Sequence, residues 1–356
     1  MRKIVSIFIT AVIMLSAVTF AGCGEEKFEF GGRKFDISVN EIEISDVSIT
    51  SFDELATCTQ LTSLTLDNCD ISSISGLGRV SSLKRLSLKN NKISDMSDIS
   101  MLSQLQTLIL SDNNIADISA VSFCENLNYL DIGKNPVTDI SPVANLSKLE
   151  TLYADDTAIS DISSLKNLCE MKELYLSNDE ITNIDALSSM EYLRTLDVFA
   201  TGIDSLETIG DLSQLRCLYI GENPKITDFS PLSKLNKLEI LCAENCSIAS
   251  VDILSQMKSL KELILTNDEI SDILPLEKVS TLQKINIEGN YCVSEENVEQ
   301  LKEALPKCEI VHSQLRTQSE LDAIAEAQTD SDEKKKQDEI DSAKERFAEE
   351  VLHKLG

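Results

Sequence analysis

Apolar residues in this chain return every 22 positions, and that period limits the kind of core it can build. Leu61, Leu83, Leu105, Leu127, Leu149, Met171, Leu193 and Leu215 mark position one of successive copies. Position four is always leucine: Leu64, Leu86, Leu108, Leu130, Leu152, Leu174, Leu196 and Leu218. Position six is again apolar, as in Leu66, Leu88, Leu110, Ile132, Ala154, Leu176, Val198 and Ile220. Position nine holds a small polar residue or cysteine: Cys69, Asn91, Asn113, Asn135, Thr157, Asp179, Thr201 and Asn223. One extra residue enters around Lys225, the frame resumes at Leu238, Leu260 and Leu282, and a weaker copy begins at Val39. A unit this short cannot bury its own stripe, so each copy depends on its neighbours and stability becomes a sum of nearest-neighbour terms.

The step from position four to position six has the period of a strand, so both side chains point to one side. Copies stacked side by side then pair these strands into a parallel sheet. The residue at position nine ends the strand, and its buried polar atoms can bond to the turn and to the next copy. The apolar residues that follow, such as Ile93, Met96, Ile99 and Leu102, return the chain along the outer side. This pattern resembles the leucine-rich repeat, in the 22-residue form of internalin-like bacterial proteins, over residues 39–310. The resemblance implies an α/β solenoid: a curved repeat array with a parallel concave β-sheet.

Both ends of such a stack need covers. Phe28-Glu29-Phe30, Gly31-Gly32 and Arg33-Lys34-Phe35 read as a tight hairpin, because a Gly-Gly turn tolerates positive φ at both positions. It is the expected N-terminal cap. From Glu295 to Leu305 the spacing of Val298, Leu301 and Leu305 predicts a cap helix, with Ser294 as its N-cap and Pro306 as its stop. Ile310 and Val311 then read as a last strand.

The first 22 residues read as an export signal, with Arg2 and Lys3 before an apolar core from Ile4 to Ala17. Phe20-Ala21-Gly22-Cys23 resembles the lipobox of bacterial lipoproteins, although Phe20 departs from the usual leucine. That resemblance implies cleavage before Cys23 and lipid on its thiol. The alternative is an uncleaved signal-anchor helix, since Ile4 to Gly22 nearly suffices to span a bilayer. On either reading the body of the protein is extracytoplasmic, and on the first the membrane is met only through lipid. Residues 23–38 are then a short tether and cap. At ~3.5 Å each, the roughly 15 residues between Cys23 and the first repeat reach ~50 Å. Residues 311–356 change character: Thr329 to Lys336 is charged, and Ile340, Phe347, Val351 and Leu355 fall near one helical stripe.

The net charge is −28, and losing Arg2 and Lys3 takes it to −30. This opposes nucleic acid as a ligand and favours a neutral or cationic surface. The ten cysteines fall mostly at apolar or ladder positions of the repeat: Cys58 and Cys124 at position twenty, Cys69 and Cys246 at position nine. These read as buried free thiols. Cys292 and Cys308 flank the cap helix and are the one candidate bridge. Only His312 and His353 are histidines, both outside the repeats. That removes a histidine-dependent nucleophile or zinc site from the ordered body, and there is no phosphate loop. No catalytic residue, metal or cofactor is expected. Aspartate recurs at position thirteen as Asp95, Asp117, Asp139 and Asp161. A cation ladder is one reading, and a turn that binds nearby backbone N–H groups is the favoured one.

The positions between and beside the strand leucines point away from the core, and they carry the candidate site. Position five reads Asp131, Tyr153, Tyr175, Asp197 and Tyr219, joined by Tyr129 at position three and Phe199 at position seven. Asp155, Asp156, Glu173, Glu180 and Glu222 lie around them. Tyrosine is enriched at recognition surfaces and loses little side-chain entropy on binding, although aromatics also suit sheets for stability alone. None of these side chains is expected to fill the core. The resemblance implies a protein partner held on the concave face. Glycan binding through Tyr153, Tyr175 and Tyr219 is the alternative. A carboxylate-pair hydrolase is a distant third, because an open sheet without long inserts gives little to exclude water.

Overall fold

The computed structural model describes residues 27–325. The signal, Cys23 and the stripe from Ile340 to Leu355 lie outside the described residues. The chain opens with a hairpin of β1 (Lys27–Phe30) and β2 (Arg33–Asp36), with Phe28 opposite Phe35. Gly31 and Gly32 have φ of 54° and 72°, as a Gly-Gly turn requires. A Cβ on Gly31 would stand 2.7 Å from Ile44, so glycine also lets the hairpin close down on the first repeat. Phe30 is buried there, its ring 6.3 Å from that of Phe52.

Thirteen strands then form one parallel sheet in chain order. They are β3 (Glu41–Ser45), β4 (Ser63–Asp67), β5 (Arg85–Ser87), β6 (Thr107–Ile109), β7 (Tyr129–Asp131), β8 (Thr151–Tyr153), β9 (Glu173–Tyr175), β10 (Thr195–Asp197), β11 (Cys217–Tyr219), β12 (Ile240–Cys242), β13 (Glu262–Ile264), β14 (Lys284–Asn286) and β15 (Glu309–Val311). The position-four leucines stand in register, Leu64 on Leu86 on Leu108 and onward to Leu218. Leu218 pairs with Leu241, so the extra residue near Lys225 is absorbed in the loop without disturbing the sheet. The inward side chains from Leu61 to Leu241 form one continuous buried core. Replacing a leucine such as Leu130, which is fully buried, by alanine leaves a cavity that costs ~2–5 kcal/mol.

The outer side is made of short 3-10 turns, for example Ser97–Met101 and Ser119–Phe123, with one α-helical turn, α1 (Glu207–Gly210). The aspartates at position thirteen serve these turns. The carboxylates of Asp95, Asp117, Asp139 and Asp161 accept from the backbone N–H two residues on, at 2.8–2.9 Å. Those bonds hold the Asp95, Asp117 and Asp161 carboxyls below the usual carboxylate range. The turn reading therefore accounts for the motif.

Position eight takes the left-handed conformation in repeat after repeat, including Asn90 (φ 53°), Asp156 (56°), Ala200 (53°) and Glu222 (58°). It swings the chain off the strand and delivers position nine inward. There Asn113 donates to the Leu88 and Leu110 carbonyls, 2.9 Å each, and accepts from Ile93 N–H at 3.0 Å. One side chain thus ties two copies together. Helix α2 (Glu295–Ala304) closes the array, with the Ser294 hydroxyl accepting from Asn297 N–H at 3.2 Å. The cysteines of the described residues are free, Cys292 and Cys308 included. Cys58, Cys69, Cys124 and Cys246 are buried, as their repeat positions require.

Candidate binding face

Strands β7 to β11 present position five outward on consecutive strands, with Asp131 beside Tyr153, Tyr153 beside Tyr175, Tyr175 beside Asp197 and Asp197 beside Tyr219. The sheet spacing of ~4.8 Å holds neighbouring side chains at stacking distance. The Tyr153 and Tyr175 rings lie 4.1 Å apart and 6° from parallel. Tyr129, two positions back on β7, leans on Tyr153 at 5.6 Å and 38°. Stacking along the inter-strand direction covers the ring faces that Tyr153 and Tyr175 turn to each other. What points outward is ring edge and hydroxyl. Burial, and then the Tyr153 hydroxyl, raises the ionisation of Tyr175 well above the usual phenol range, and burial raises Tyr129 and Tyr153 as well. All three are neutral at physiological pH.

The carboxylates flank this rack. Asp131 accepts from the Ser111 hydroxyl at 2.7 Å and from Gly133 N–H at 3.1 Å. Asp197 accepts from Phe199 N–H at 2.9 Å. Asp155 is half-buried, and burial followed by the Asp131 charge pushes its carboxyl up to about 6. Gly133 between them allows the approach, since a Cβ there would stand 3.2 Å from the Asp155 carboxylate and 3.5 Å from that of Asp131.

The structure departs from the expected site in three ways. Phe199 does not present its ring to solvent: it is 5% exposed, and its ring lies where a side chain on Gly221 would stand. The neighbouring glycine leaves room that a phenyl group fills, so Phe199 is part of the packing of this face. Asp156 and Glu222 occupy the left-handed position eight, at the rim beyond the strands, and Glu222 accepts from Asn245 at 2.7 Å. Third, Arg85, Lys89 and Lys134 join Tyr129, Asp131, Tyr153, Asp155 and Glu173 around an open hollow of about 590 Å³. Arg85 and Lys89 stand at positions three and seven and Lys134 at the rim position eight, and the sequence reading singled out none of them. The face is therefore mixed in charge toward β5 and acidic-aromatic toward β11.

The family model described as leucine-rich repeats (two copies) matches residues 59–101, 103–145 and 147–189. No curated protein sequence matches the chain. Among solved structures, an internalin, InlF, from Listeria monocytogenes is 26% identical with a TM-score of 0.74, covering 80% of this chain and 85% of that one. A leucine-rich repeat protein of Leptospira interrogans is 19% identical with a TM-score of 0.50, covering 77% and 90%. The plant peptide hormone receptor RGFR1, solved in complex with RGF2, is 17% identical with a TM-score of 0.61, covering 77% of this chain and 51% of that one. The single parallel sheet, the ladder of position-nine side chains and these matches give the chain the leucine-rich repeat fold.

Proposed function

We propose that this is an extracytoplasmic binding protein, lipid-anchored through Cys23, that holds a protein partner on its concave face. The observation that carries the reading is the Tyr129–Tyr153–Tyr175 rack on consecutive strands, flanked by Asp131, Asp155 and Asp197. Rigid aromatics with polar tips are common anchors at protein interfaces. Asp197 and Tyr219 continue the patch toward β11, where a neutral or cationic surface is the better complement. The likeness to an internalin and to a receptor solved with its peptide hormone fits a ligand-holding scaffold. Sugar stacking is less well served, because it needs free ring faces and Tyr153 and Tyr175 turn a face to each other.

Two experiments test the proposal. Intact protein and the Tyr153→Ala/Tyr175→Ala/Tyr219→Ala variant are used as baits on native envelope, after both are shown to melt cooperatively. A partner retained by the first and lost by the second supports the reading. Equal retention places the ligand elsewhere, and selective loss of a defined oligosaccharide instead of a protein moves the reading to glycans. Mass spectrometry of the native protein tests the anchor: Cys23 should be the mature N-terminus and carry lipid. An unmodified Cys23 with residues 1–22 attached supports the signal-anchor.

A further inference from the structure

Position nine of the repeat is a hydrogen-bond donor wherever its identity allows the role to be read. The Asn91 amide donates to the carbonyls of Leu66 at 2.8 Å and Leu88 at 2.9 Å, which lie 25 and three residues earlier. Asn223 repeats this with Val198 and Ile220, and Asn290 with Leu265 and Ile287. Where asparagine is replaced, another donor takes over. The Cys69 thiol reaches the Ile44 carbonyl and the Cys246 thiol the Ile220 carbonyl. The Thr201 hydroxyl reaches Val198 at 2.9 Å. The site is a ring of backbone carbonyls that needs a hydrogen.

Asp179 and Asp268 occupy this position with carboxyl groups, 3% and 8% exposed. One oxygen of each behaves as an asparagine Oδ1 does. Asp268 Oδ1 accepts from Cys246 N–H at 2.9 Å and Ile248 N–H at 3.1 Å, as Asn91 Oδ1 accepts from Cys69 and Ile71. Asp179 Oδ1 accepts from Thr157 N–H at 3.0 Å and from its hydroxyl at 2.7 Å. The other oxygen, Oδ2, takes the place of the asparagine amide and is buried with no donor to meet it. An ionised Oδ2 there would face carbonyl oxygens, negative charge against negative dipole, in a dry interior.

We propose that Asp179 and Asp268 are neutral carboxylic acids in the folded protein at mildly acidic pH, their Oδ2–H groups standing in for the asparagine amide, and that they form a proton-dependent lock between repeats. By repeat equivalence the acceptors are the Ala154 and Leu176 carbonyls for Asp179, and those of Ala243 and Leu265 for Asp268. The charged groups around them reinforce the neutral form. Asp155 and Asp156 stand on the turn before Asp179, with Glu180 beside it, while the following turn offers uncharged Ala200 and Thr201. Glu244 stands before Asp268 and its charge disfavours ionisation, with Glu269 beside it in sequence and Glu288 on the next turn; the Cys246 thiol on the preceding turn is uncharged. Burial is the main cause in both cases, and carboxylates on the preceding turn add to it. Asp179 is pushed up to about 7 and Asp268 to about 6.

The direction of the effect follows from linkage. Each group binds its proton more tightly folded than unfolded, where its pKa is ordinary, at 3.8. The contribution to stability is therefore complete below about pH 4 and is lost as pH rises toward 6 to 7. Above that the lock is charged, and the two inter-repeat joints are the weak points of the stack.

The test uses the whole chain and the double variant Asp179→Asn/Asp268→Asn. The variant is expected to fold, because asparagine is the residue of the equivalent positions 91, 113, 135, 223 and 290. Infrared spectra at pH 5, where ordinary aspartates are mostly ionised, should show a protonated-carboxyl C=O band in the wild type that is reduced in the variant. Thermal unfolding of the wild type should fall between pH 5 and pH 8 more steeply than that of the variant, leaving the variant higher by roughly 2–4 °C or more at pH 8. An infrared band that the substitutions leave unchanged, or identical pH dependences of melting, overturns the proposal.

Discussion

The rings of Tyr153 and Tyr175 stack face to face at 4.1 Å, one on each of two adjacent strands of the concave sheet. A parallel sheet in register produces this contact without any dedicated loop, because position five recurs at the same height on every strand. The pair is stacked before any ligand arrives. Aromatic pairs contribute ~0.5–1.5 kcal/mol beyond area burial, so a Tyr153→Ala, Tyr175→Ala double-mutant cycle should show coupling of that size in urea unfolding. Partner binding should fall by more, ~30-fold or beyond for a hot-spot anchor. Strict additivity in unfolding shows that the stack adds nothing to the fold.

Phe199 and Gly221 should behave as one unit. A Cβ on Gly221 would meet the Phe199 ring at 2.7 Å and Glu244 at 2.9 Å. Gly221→Ala should therefore cost ~1–3 kcal/mol by overpacking. The same substitution should cost less in a Phe199→Ala background, where the ring is gone. Chemical denaturation of the four proteins measures this coupling. Equal costs in both backgrounds mean that the ring moves aside freely.

Ala200 holds the left-handed conformation at φ 53° with no side-chain oxygen to bond locally, unlike Asn90 or Asn178. The left-handed region costs an L-residue ~1–2 kcal/mol, part of which glycine returns as lost chain entropy. Ala200→Gly should stabilise the protein by ~0.5–1 kcal/mol, while Leu196→Gly, inside the neighbouring strand and fully buried, should destabilise it severely. A lower melting temperature for Ala200→Gly contradicts the strain.

Thiol reactivity should follow burial. Cys124 is pushed up to about 11, and Cys242 and Cys246 to about 12, by burial first of all. At pH 8 these remain thiols, and alkylation needs the thiolate. Cys169 and Cys292 are exposed. Iodoacetamide at pH 8 should modify Cys169 and Cys292 first and spare the three buried groups until denaturant is added. Peptide mapping by mass spectrometry reads the order. Early modification of Cys124 means that the repeats open locally in the native state.

The repeat, the parallel sheet, the two caps and the outward direction of Tyr153, Tyr175 and Tyr219 were all legible in the order of residues, because side-chain period follows directly from backbone geometry. So was the inward ladder at position nine. The tertiary structure alone decided how these residues meet. Phe199 turned from a surface aromatic into packing because the next repeat offers Gly221, a neighbour 22 positions away. Arg85, Lys89 and Lys134 joined the face because curvature and register bring three repeat positions around one hollow. Asp179 looked like one more polar ladder residue, and only the carbonyls around position nine, drawn from two repeats at once, set its buried, unpartnered Oδ2 apart from an ordinary surface carboxylate. Local period sets which way a side chain points; the energy of a buried polar group depends on what the next repeat places against it.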